Sequence, residues 1–133
     1  MSTHPKQQEL EDTLRKMCDD LDTFLEDTYG DRYPLHPNRL ARGNAASVAY
    51  DGLFSTGTQF TMGYGSKAGR GYIVDIDIAT LSRVDKNDHD MIEASAVAYL
   101  ESLLPVYFPN RQLQIVKDGN LYKIIGDFSL GTV

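Results

Sequence analysis

The spacing of apolar positions changes its period along this chain. Over residues 5–29, Leu10, Leu14, Met17, Leu21 and Phe24 recur at alternating intervals of four and three, with Cys18 and Leu25 beside the stripe. That period places them on one face of a helix. Ser2 or Thr3 can cap its first turn, Pro5 suits its start, and Gly30 offers a left-handed residue to stop it. The stripe fills about two heptads, too few for a coiled coil, so the helix is expected to pack on the protein's own sheet, with a dimer seam as the alternative. Residues 30–46, GDRYPLHPNRLARGNAA, follow neither a helical nor a strand period and predict a long connection.

From Ser47 onward the pattern alternates, and VAYDGLF, TQFTMGY and GYIVDIDIATL predict three strands. The first reversal falls either at Asp51-Gly52 or at Ser55 to Gly57. In the third strand Tyr72, Val74, Ile76 and Ile78 point one way, and Ile73, Asp75, Asp77 and Ala79 point the other. Helical spacing returns with Ile92, Ala96, Tyr99, Leu100 and Leu103. It predicts a helix from about Asp88 to Leu104, opened by a capping box of Asp90 and Glu93 and ended by Pro105. LQIVK and LYKIIGDF then flank Asp118-Gly119-Asn120, a strong hairpin signal. The order α-β-β-β-α-β-β predicts an α+β fold: an antiparallel sheet of about five strands with two helices on one face. At 133 residues one domain is expected, with about two thirds of its surface buried on folding.

This element order resembles the secretion-chaperone-like fold, whose members are small, acidic, intracellular homodimers that hold partner polypeptides. The resemblance is one of topology over most of the chain, without the last helix common in that fold. It implies a homodimeric binding module.

Charge sharpens that picture. The chain carries 13 Lys and Arg against 19 Asp and Glu, a formal −6, which opposes general attraction to nucleic acid or anionic membrane. The total conceals a gradient: residues 1–31 are net −6, residues 32–83 net +3 and residues 84–133 net −3. One Cys rules out an internal disulfide and any multi-Cys metal site, and Cys18 reads as a buried small hydrophobe. The first residues lack the apolar run of a signal peptide, and no stretch approaches the roughly 20 apolar residues of a membrane span, so a cytoplasmic protein is expected.

Two groups of residues can carry chemistry. Arg32, His36, Arg39 and Arg42 in the long connection, with Lys67 and Arg70 in a later loop, form a locally basic set suited to carboxylate or phosphate, with Tyr33 able to stack on a planar partner. Alternatively these cations pair with the acidic first helix. The second group is Asp75 and Asp77, two apart on one strand and hence on one face, able to hold a hard divalent cation. Upstream lies GSKAGRG, residues 65–71, whose glycines and cations can cradle a phosphate. Gly65-Ser66 followed by Asp75-Ile76-Asp77-Ile78 resembles the signature of polymerase β type nucleotidyltransferases. The resemblance implies phosphate contacts at Gly65 and Ser66 and magnesium at Asp75 and Asp77; the transferase alternative built on it adds Lys67 to the site. A simpler account makes residues 65–70 a hairpin loop and the two aspartates part of a solvent-facing sheet surface, beside Gln59 and Thr61. His4, His36 and His89 show no zinc-site or triad spacing.

The sequence therefore favours a binding or interaction module over an enzyme. The expected partners are a second copy of the chain and a polypeptide or small anionic ligand. No cofactor is expected, and magnesium enters only with the transferase alternative.

Overall fold

The computed structural model describes residues 5–45, 51–65 and 67–126. Their order is α1 (Pro5–Tyr29), β1 (Phe54–Thr61), β2 (Gly71–Ile78), α2 (Lys86–Tyr107), β3 (Leu113–Asp118) and β4 (Leu121–Gly126). The strands form one antiparallel sheet in the order β1-β2-β4-β3. The fold is α+β, with four strands among the described residues where about five were expected.

The difference arises at the first predicted strand. Of VAYDGLF, positions 48–50 lie outside the described residues, and 51–53 form a bend with a single bridge from Asp51 to Leu40. Ser55 to Gly57 lie inside β1, so the bend falls at Asp51-Gly52 and TQFTMGY contributes the second half of one longer strand.

Helix α1 buries Leu10, Leu14, Met17, Cys18, Leu21 and Leu25, the stripe its period predicts. Phe24 stays half-buried and stacks on Tyr99 of α2, ring centroids 4.1 Å apart. Asp20 adds a polar seam by accepting from the hydroxyls of Tyr99 (2.7 Å) and Tyr107 (2.9 Å). Ser2 and Thr3 lie outside the described residues. Gly30 follows the last residue of α1 without the left-handed conformation expected of it: its φ is not positive, and what calls for glycine there is that a side chain would collide with the Glu26 carbonyl.

Helix α2 starts two residues earlier than predicted, because Asp85 caps it by accepting from the Asp88 amide at 2.8 Å. Asp90 and Glu93 are already inside the helix. Pro105 does not end it, and the helix continues to Tyr107. A proline removes one donor, here to the Glu101 carbonyl. Glu101 is exposed, so that carbonyl can turn to water, while buried Leu103, Leu104 and Phe108 hold the last turn on the core.

The inner sheet face carries Phe54, Tyr72, Val74 and Ile124, which join the buried stripes of both helices in one cluster. The β3–β4 hairpin closes at the pair Asp118 and Leu121. Only the first central residue, Gly119, has positive φ (65°), as a type II′ turn requires. No helix of the described residues is long and apolar enough to cross a membrane.

Candidate functional site

The arginines of the connection are committed to holding it in place. Arg32 forks onto Asp88 of α2 (2.9 and 3.2 Å), and the Tyr33 hydroxyl donates to the same carboxylate at 2.5 Å rather than stacking. These bonds hold the Asp88 carboxyl below its ordinary range. Arg39 donates to the carbonyls of Gly52 and Asp51, both at 3.0 Å. Arg42 reaches Asp51 (2.8 Å), Glu26 of α1 (3.2 Å) and the Phe54 carbonyl (2.8 Å). Asp51 is buried, which raises its pKa, but the amides of Ala45 and Gly43 and the Arg42 guanidinium outweigh burial and keep it low. His36 is tied by its own amide to the Ala79 carbonyl (2.8 Å), and its Nδ1 accepts from the Asn38 amide (3.0 Å). Pairing with the acidic first helix thus describes Arg42, whereas Arg32 uses α2 and Arg39 uses backbone.

Asp75 and Asp77 are exposed on the sheet face away from the helices. Their partners across β1 are Gly57 and Ser55, in place of the expected Gln59 and Thr61. Ser66 lies outside the described residues, while Lys67 and Arg70 are exposed. The 62–70 connection meets the sheet through Gly69, whose carbonyl accepts from buried Lys123 at 2.8 Å. Among the described residues no hydrogen bond or ion pair joins either aspartate to this connection. Among the described residues, the structure shows no contact that joins Lys67 or Arg70 to the acid pair.

A concave site lies elsewhere, where sheet pairing stops. β2 pairs with β1 along its full length but with β4 only at Tyr72, Ile73 and Val74. Past that point β4 turns away into its hairpin, and Asp75–Ile78 have no neighbour strand on that side among the described residues. The parity of the backbone follows from the bond between the Ala79 amide and the Leu53 carbonyl (2.7 Å). Odd residues of β2 direct their peptide groups to β1, and even residues direct theirs to the opposite edge. The Ile76 amide and carbonyl and the Ile78 amide therefore face the gap.

Beneath this edge is a groove of about 200 Å³ between β2, α2 and the hairpin tip. Val74, Asp75, Ile76 and Ile78 from β2 and Ile92, Val97 and Leu100 from α2 line it, all of them apolar except Asp75. Asn120, Leu121 and Tyr122 close one end, and His89 and Glu93 stand on the helix side. His89, Asp90 and Glu93 are close enough for their ligand atoms to converge within 4.8 Å, but the group is largely exposed and Asp90 already pairs with Lys86 at 3.2 Å.

A family described as "Uncharacterised protein" matches residues 5–126. The chain belongs to that family. It is also 48% identical over 120 residues to an "Uncharacterized protein" of Borreliella burgdorferi, covering 90% of this chain and 94% of the relative. No solved structure matches it, so the likeness to secretion chaperones rests on element order alone. The family's matched span takes in every element that forms the groove.

In the sequence, alternation puts Ile76 and Ile78 on the side of Tyr72 and Val74, and helical spacing puts Ile92 and Leu100 in a stripe, while Val97 belongs to neither pattern. Nothing local to these residues shows that pairing with β4 stops at Val74. The sequence signal that bears on it is the Asp118-Gly119-Asn120 turn, which puts the start of β4 at Leu121, one residue from the last pair, Val74 with Tyr122.

Proposed function

We propose that this protein is a non-enzymatic binding module that takes up an extended polypeptide segment along the free edge of β2. The observation that carries this reading is the coincidence of a strand edge without a partner strand among the described residues and a groove with an apolar wall on either side. Strand addition draws affinity from main-chain hydrogen bonds and specificity from pockets for alternate side chains. Ile76 and Ile78 offer the first, and the hollow beside Ile92, Val97 and Leu100 offers the second. Groove volumes for small molecules start at about 300 Å³, above that of this hollow, which suits one or two side chains of a segment whose backbone stays on the rim. The assembly proposed for the module is a homodimer joined along the outer edge of β1.

Selection from short random displayed peptides, followed by amide chemical-shift mapping with the best synthetic peptide, tests the reading. The expected result is that the amides of Ile76, Ile78 and Val97 shift, that the Ile76 amide slows its exchange with solvent, and that Val97→Arg abolishes binding. Selected peptides that leave these amides unmoved, or that bind Val97→Arg equally well, would sink it.

A further inference from the structure

Resting on the groove reading above, we propose that the bound segment alternates apolar and basic side chains. A strand added to β2 must obey the parity already set by β1. Residues hydrogen-bonded to Ile76 and Ile78 point their side chains inward, into the apolar groove. Residues opposite Asp75 and Asp77 point outward, onto the sheet face that carries those two carboxylates.

The acids are available to such a strand. Both are exposed, and among the described residues neither carboxylate has a side-chain hydrogen bond or ion pair. Across β1 they face Gly57 and Ser55, which bring no charge. For a strand added antiparallel, as all pairs of this sheet are, the positions opposite Asp75 and Asp77 are the non-hydrogen-bonded ones, where Cα atoms approach to about 4.5 Å and side chains lie closest. Opposite charges are favourable at such cross-strand positions and like charges are unfavourable. Lys or Arg opposite the aspartates, with apolar residues at the positions between, therefore suits both faces at once. The acid pair then serves as a specificity element for a cationic strand.

The test is fluorescence anisotropy with synthetic peptides: one alternating Lys and Val, one alternating Thr and Val, one alternating Glu and Val, and one with Lys and Val in separate blocks. The alternating Lys-Val peptide is expected to bind best. The double variant Asp75→Asn, Asp77→Asn, altered only at exposed positions, should weaken it about 3- to 10-fold. The control Glu9→Gln, Asp12→Asn, which removes two acids from the exposed face of α1, should leave it unchanged. Equal binding of the Lys-Val and Thr-Val peptides, equal binding of the blocked peptide, or indifference to the double variant overturns the basic-strand proposal. The groove reading survives those results provided Val97→Arg still abolishes binding. If no alternating peptide binds, or if Val97→Arg has no effect, the groove reading itself fails.

Discussion

A single buried carboxyl makes the fold sensitive to pH. Asp22 lies fully buried on α1 among Cys18, Leu21 and Leu25, with the Arg15 guanidinium at 3.7 Å. Burial drives its pKa up to about 7, and Thr56, Arg15 and Arg42 only partly counter this. An unfolded Asp titrates near 3.9, so between about pH 4 and about pH 7 the folded chain holds a proton that the unfolded chain has lost. Its contribution to stability therefore falls as pH rises through that window. Asp22→Asn removes the titration while keeping the shape. The variant should melt above the parent by roughly 3–8 °C at about pH 8, with the gap shrinking toward about pH 5. A constant gap across that range would show that Asp22 does not titrate there. Cys18, one turn away, has its thiol pushed up to about 12 by the same burial, which fits the small-hydrophobe reading of its place in the stripe.

At the scale of elements, the basic connection shows how charge in a sequence can mark architecture. Arg42 bridges the connection, α1 and the start of β1 through Asp51, Glu26 and the Phe54 carbonyl. Removing it strands a buried carboxylate. Arg42→Ala should therefore cost about 3 kcal/mol in denaturant unfolding, whereas Arg70→Ala, at an exposed position, should change stability by less than about 0.5 kcal/mol. Equal effects would mean that the Arg42 network contributes nothing net. Sequence carried the elements whose causes are local. The period of α1, the alternation of β2 and the Gly-containing hairpin each follow from neighbouring residues. It failed where the cause was distant. Pro105 predicts an end of α2 that the structure does not have, because the packing of Leu103, Leu104 and Phe108 overrides it. The connection's arginines were legible as cations, but their partners Asp88 and Asp51 lie 56 and 9 positions away. The groove was least legible, since a strand edge becomes free only where pairing with a strand elsewhere stops.

For the whole molecule, the remaining question is what covers the outer edge of β1. The parity that directs even residues of β2 into the groove also directs even residues of β1 away from the sheet. The Phe54 carbonyl is met by Arg42 at 2.8 Å, and Thr56 is buried against α1. Thr58 and Phe60 keep outward peptide groups with no backbone partner among the described residues. Eight residues, FSTGTQFT, without a charge or a proline lack the devices that usually blunt an edge. Phe60 is 43% exposed and Met62 is 49% exposed, so apolar surface continues past the strand's end. A two-fold axis beside Phe60 would pair this edge antiparallel with itself, setting Phe60 on Phe60 and extending the sheet from four strands to eight, an isologous contact. Light scattering at micromolar concentration should then give about twice the 14.9 kDa chain mass. Thr58→Pro removes an outward amide at a position where an edge strand tolerates proline, and should shift the protein to monomer with its melting profile otherwise retained. A wild-type monomer at that concentration, or a Thr58→Pro dimer, would rule this edge out as the interface. The free edge of β2 lies on the opposite side of the sheet order from β1's outer edge, so the monomeric variant should bind peptide as the parent does. Dimerisation and strand capture are then separable properties of two different edges.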